Sequence, residues 1–251
     1  MASSNFTITR DQIIASALRK CGVLELGDVA DPATTANASL ILNLFIKQMS
    51  TEGIKLWTVD EGVLPLTANK TVYTLGGAGS DTYYLASDGT HTAVLDKPLR
   101  LIQAFIRNTT TNQDTTLRIL SRQEYNELGD KYTTGTTNSV FYDPRNTNGR
   151  LNLFLTPASS TATNYTVHFV FQRPIFDVTV ATANLDFPNE WLNVLVWNLA
   201  DQLAIEYGVP GNHRQEIAQR AVAYKEQLID WDVEYTSTFF KPDPQMRTNK
   251  R

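Results

Sequence analysis

Up to about residue 55 the apolar positions recur every three or four residues, from there to about residue 177 they alternate, and after residue 188 the helical spacing returns. This order predicts helices, then strands, then helices. In "TRDQIIASALRKCG", Thr9 and Gln12 stand three apart as a capping box. Ile13, Ala17, Leu18 and Cys21 share one face, and Gly22 suits the left-handed stop. A second helix is announced by Asp31 as cap and Pro32 at its first position. Leu40, Ile41, Leu44, Phe45 and Met49 form its expected apolar face, and Gly53 ends it.

The alternating region opens with "GVLPLTANKTVYTLG", which reads as a hairpin around Ala68, Asn69 and Lys70. "LRLIQAFIRN", "TLRIL", "SVFYD", "RLNLFLTP" and "YTVHFVFQRP" read as further strands between turn-forming residues. In the last of these, Tyr165, Val167, Phe169 and Phe171 point one way and Thr166, His168 and Gln172 the other, the pattern of a half-buried antiparallel strand. "SRQEYNEL" interrupts the strands with a helical turn, Ser121 and Glu124 having capping-box spacing. The connections "GGAGSDTYYLASDGTHT", "NTTTNQDTT", "GDKYTTGTTN" and "PASSTATN" are long and polar, which suits contact surfaces.

Helix resumes at Pro188 and stops at Gly208. Between them Trp191, Leu192, Val194, Leu195, Val196, Trp197, Leu199, Leu203 and Ile205 cover most of the circumference, so this helix is expected to be buried on most sides. Trp191 and Trp197 are also candidates for a subunit interface. A last helix runs from about Gly211 to Asp232 with Ile217, Ala221, Tyr224, Leu228 and Trp231 inward. The expected fold is α+β: a helical bundle from residues 1–55 and 178–235, an inserted antiparallel β domain over 56–177, and an extended arm over 236–251.

That arm, "TSTFFKPDPQMRTNKR", pairs Phe239 with Phe240, breaks any helix at Pro242 and Pro244, and carries Lys241, Arg247, Lys250 and Arg251. Its four cations against Asp243 give it a charge of +3. The net charge of −4 therefore leaves −7 on residues 1–235, an acidic body with a basic tail. Hydrophobic and charged shares of 42% and 19% are those of a globular chain. No apolar run is long enough to cross a bilayer, and "MASSNFTITRDQ" lacks the blocks of a secretory signal, so a cytosolic start with no membrane partner is expected.

Candidate chemistry is sparse. His91, His168 and His213 lack the short spacings of local metal ligands, and Cys21, the lone cysteine, falls on an apolar helix face. "GGAGS" lacks the following Lys-Ser/Thr of a phosphate loop, and no GxSxG elbow occurs. Asp186 and Glu190 suit a helix start. Asp60 and Glu61, like Asp230, Asp232 and Glu234, read as solvated carboxylates. No enzyme, cofactor or metal site is expected, and no base-reading motif appears; only the tail cations suit phosphate contact.

Four stretches in order, "ALRKCGVLELGD", "KQMSTEGIKLWTVDEGVLPLTANKTVYTLG", "LSRQEYNELGDKYTTGTTNSVFYDP" and "LDFPNEWLNVLVWNLADQLAIEYGVP", resemble the tail accessory, or packaged-DNA stabilisation, proteins of P22-like short-tailed bacteriophages. The resemblance reaches about residue 232. It implies a head-to-tail adaptor of the virion, made in the host bacterial cytoplasm. Twelve copies would form a ring under the portal, continue the channel through which double-stranded DNA passes without sequence-specific binding, retain the packaged DNA, and dock the tail nozzle. The C-terminal segment would extend against the portal, which places Phe239, Phe240, Lys241, Met246, Arg247, Lys250 and Arg251 in the docking arm. The alternative is a glycan- or polymer-binding module whose Tyr83, Tyr84, Tyr132 and Tyr142 line the β domain.

Overall fold

A computed structural model describes residues 6–51, 53, 56–77, 79–81, 83–87, 96–182 and 185–231. Both early capping signals act as read. Thr9 and Gln12 close the box that starts α1 (Arg10–Lys20), and Gly22 follows at φ +71°. Asp31 accepts from the backbone N–H groups of Ala33 and Thr34 and starts α2 (Pro32–Met49).

The strands are β1 (Val59–Pro65), β2 (Val72–Leu75), β3 (Tyr84–Leu85), β4 (Arg100–Asn108), β5 (Asp114–Thr116) and β6 (Arg118–Ile119), then, after α3 (Arg122–Glu127), β7 (Thr134–Gly135), β8 (Ser139–Asp143), β9 (Gly149–Phe154) and β10 (Thr156–Pro157). After α4 (Ser159–Asn164) come β11 (Tyr165–Gln172), α5 (Leu192–Glu206) and α6 (Gly211–Trp231). The strands form a five-stranded sheet in the order β3-β1-β11-β4-β5, a four-stranded sheet β2-β9-β8-β6, and the pair β10-β7.

Several local readings are corrected. β1 and β2 are not a hairpin: Asn69 makes the turn at φ +57°, but β1 pairs with β11 and β2 with β9, in different sheets. Each strand finds a more completely buried partner across the core than its chain neighbour offers. The β region is not wholly antiparallel either, because β6 pairs parallel to β8 and β10 parallel to β7. "PASSTATN", expected as a loop, holds α4. The polar side of β11 is not open to water: His168 hydrogen-bonds Glu61 at 2.7 Å and Thr166 at 3.2 Å and stacks on Phe105, while Gln172 Nε2 donates to the Gly53 carbonyl. Such pairs remove the cost of burying those groups unpartnered.

Two hydrophobic cores result. Leu64, Ile106, Val167 and Phe169 from the larger sheet meet Tyr73, Val140, Leu151 and Leu153 from the four-stranded one. Gly62 lies opposite Phe169 in the register, and a Cβ there would come within 2.7 Å of the ring, so glycine lets the aromatic lie over the strand. The second core joins α1, α2, α5 and α6 through Ile13, Leu18, Leu42, Ile46, Leu195, Leu199 and Ile217. α5 lies at its centre and packs on each of the other three.

The helical readings need correction at several positions. Pro188 precedes a short 3-10 turn at Asn189–Trp191, and α5 starts only at Leu192. Leu40 and Leu44 were placed on the inner face of α2, yet they are 59% and 61% exposed; Ala38, Ile41, Leu42, Phe45, Ile46 and Met49 do the packing. Ile205 and Trp231, likewise expected inside, are exposed.

The cores meet at a seam. Trp57, just before β1, lies 4.9 Å from Trp191 and 5.8 Å from Phe187. Beside it Arg173 binds Asp186 through two nitrogens and Asp60 through a third.

Candidate assembly surface

The proposed docking residues Phe239, Phe240, Lys241, Met246, Arg247, Lys250 and Arg251 lie outside the described residues, as does His91. The described chain leaves α6 at Trp231, 66% exposed. That ring borders a groove of about 320 Å³ between α5 and α6, lined by Glu190, Asn193, Val194, Tyr224, Gln227 and Leu228. α5 and α6 run antiparallel, in contact through Trp197 with Tyr224 and Asn198 with Ala221.

The two tryptophans part company. Trp191 is 1% exposed, its ring held against Trp57 inside the chain's own core. Trp197 reaches the surface partway, with the Lys20 ammonium 4.2 Å from its ring centre and the Arg220 guanidinium at 5.2 Å. Burial, then the nearby Arg220 charge, lowers the Lys20 pKa. His213 hydrogen-bonds the Lys20 carbonyl at 2.7 Å, so α1, α5 and α6 converge on one basic, aromatic corner.

The four tyrosines do not form a common platform. Tyr83 is buried and donates to the Asp96 carbonyl at 2.8 Å, and Tyr142 donates to the Pro98 carbonyl at 2.5 Å. Burial raises both phenol pKa values well above the ordinary range. Tyr84 is half-buried, and Tyr132 alone of the four is exposed, at 78%.

Among the described residues no three of His, Cys, Asp and Glu gather as metal ligands, and no helix is long and apolar enough to cross a membrane. Cys21 donates its thiol to the Ala200 carbonyl, and burial followed by the Asp201 charge pushes its pKa up to about 11. A thiol so placed is a poor nucleophile.

The sequence reading missed the apolar side chains that do face outward: Leu26 and Val29 after α1, Leu40 and Leu44 on α2, Val180 after β11, and Val222 on α6. The available signal was a second apolar spacing on α2, where Leu40 and Leu44 fall between the positions that pack inward. Exposed apolar surface marks protein–protein contact where it is contiguous.

The described chain is thus of the α+β class, with apolar side chains exposed on α2 and α6. The family model of the SU10 adaptor protein matches residues 8–234. The chain belongs to that family, whose members are phage head-to-tail adaptors and hence structural proteins of the virion. No curated protein matches it.

Proposed function

We propose that the chain is the ring-forming connector of a short-tailed bacteriophage, set beneath the portal, with a helical bundle as its body and the β region inserted as a second unit. The observation that carries this is the adaptor match over residues 8–234, together with apolar residues exposed on different helices of one protomer. In this reading twelve copies continue the DNA channel, retain the packaged genome and offer the nozzle its seat. The acidic body suits a channel wall, since negative walls repel phosphate and let DNA slide. The arm over 236–251 docks on the portal, Phe239 and Phe240 filling an apolar groove while Lys241, Arg247, Lys250 and Arg251 meet an acidic rim. Trp197, at the surface corner, lies near the contact between copies.

The test is the mass of the purified chain alone, with the portal of the same virion, and after deletion of residues 236–251. A monomer alone, a large ring complex with portal, and loss of that complex on deletion are the expected results. A chain that stays monomeric with its own portal overturns the reading.

A further inference from the structure

Leu40 and Leu44 project from the face of α2 turned away from the core, one helical turn apart. The outer face of α6 is their counterpart. Ala218, Gln219, Val222, Ala223 and Glu226 line a shallow groove of about 390 Å³ there, opposite the inward residues Ile217, Ala221, Tyr224 and Leu228. Gln219, Val222, Ala223 and Glu226 have the spacing i, i+3, i+4, i+7, the four corners that receive one knob in knobs-into-holes packing. Both faces belong to helices that pack on α5.

Direction and charge fit the same pairing. Asn37 at the start of α2 donates to Glu206 at the end of α5, so α2 runs antiparallel to α5. α6 folds back on α5 through the contacts of Trp197 with Tyr224 and Asn198 with Ala221, so it is antiparallel too. α2 and α6 therefore point the same way. In a ring whose axis follows these helices, rotation preserves direction, and α2 of one copy meets α6 of the next in parallel.

With Leu44 seated over Val222 and Ala223, Lys47 falls one turn beyond the knob and comes level with Glu226, Asp230 lying one turn further on. At the other end Glu206, beside Asn37, comes level with Arg214 and the positive start of α6. From Leu40 to Lys47 is about 10 Å along the helix and from Ala218 to Glu226 about 12 Å, so the charges stay in step with the apolar contact. Lys47 also pairs with Asp177 at 2.7 Å, its side chain half-exposed.

We infer that the contact between neighbouring copies is made by the Leu40–Leu44 ridge of α2 in the outer groove of α6, with Lys47 over Glu226. The inference rests on the ring reading. Its occupant is a second copy of this chain in a head-to-tail contact, which closes into a ring rather than stopping at a dimer.

The experiment uses the full chain carrying both Leu44→Cys and Val222→Cys, and each single variant, combined with the portal of the same virion. The mass of the complex is taken first, and the samples are then mildly oxidised and run without reductant. The native Cys21 is buried and does not contribute. A ladder of multimers from the double variant and none from either single variant is expected, because only a head-to-tail contact puts position 44 beside position 222.

A ring complex by mass without the ladder overturns this contact and leaves the ring standing. Dimers from a single variant would also overturn it, since they report a two-fold contact. Failure of any complex to form removes both readings. As an independent arm, Lys47→Glu should weaken assembly by about tenfold and Glu226→Lys should restore it. Weakening without rescue would trace the effect to Asp177 within one copy and count against the pairing.

Discussion

At the scale of single residues, charge pairs and caps decide behaviour more than motifs do. Asp143 at the end of β8 is contacted by Arg145 and Arg122, and the Arg145 hydrogen bond, with that of Arg122, holds its carboxyl below the ordinary value of 3.8. A carboxylate with a depressed folded pKa contributes stability above the ordinary value and loses it as pH falls through the lowered one. Asp143→Asn should therefore lower the urea midpoint at pH 7, and the gap from the parent should narrow below about pH 4. A gap that stays constant down to pH 2 would show that the loss is one of packing. Legibility is uneven at this scale. Thr9, Asp31 and Ser121 were readable because a cap uses partners within four residues. The fates of Trp191 and Trp197 were not, because burial depends on Trp57 and on α6, far away in the chain.

At the scale of elements, helix starts with a side-chain cap were legible and strand partners were not. The Thr9 box satisfies end groups that α1 would otherwise leave open, so Thr9→Ala should cost about 1 kcal/mol while Thr9→Ser costs much less. Equal losses in urea unfolding for the two variants would remove the cap from the explanation. β1 and β2 show the opposite case. Asn69 turns the chain as its residue type allows, yet a turn fixes direction only, and pairing follows from where Leu64 and Tyr73 are best buried. α2 misled for a related reason: it carries apolar residues on two faces, and periodicity cannot say which face meets the core. Leu40 and Leu44, the outward pair, are exposed, and the proposed contact between copies is built on them.

At the scale of the whole molecule, the seam at Arg173 ties the two cores together. It binds Asp60 from the sheet and Asp186 from the approach to α5, and its side chain is largely buried. Arg173→Met leaves both carboxylates without their cation and should cost about 2–4 kcal/mol. It should also divide a single calorimetric transition into two. One unbroken transition in the variant would show that the Trp57 and Trp191 stack couples the cores unaided. The adaptor class was readable at this scale because the order of segments extends over most of the chain, whereas the shared direction of α2 and α6 is displayed only by the folded helices.

The placement of the two cores along the chain also sets the order in which the protein is made. All residues of the β core lie between 64 and 171, whereas the helical core takes its members from 13 to 49 and again from 175 to 217. On the ribosome the strands can close as soon as β11 emerges, but the apolar faces of α1 and α2 must wait, uncovered, until α5 has been synthesised. The nascent chain is thus most prone to stick to its neighbours between those two moments, and a pause in translation just after β11 would lengthen that exposure more than a pause anywhere earlier.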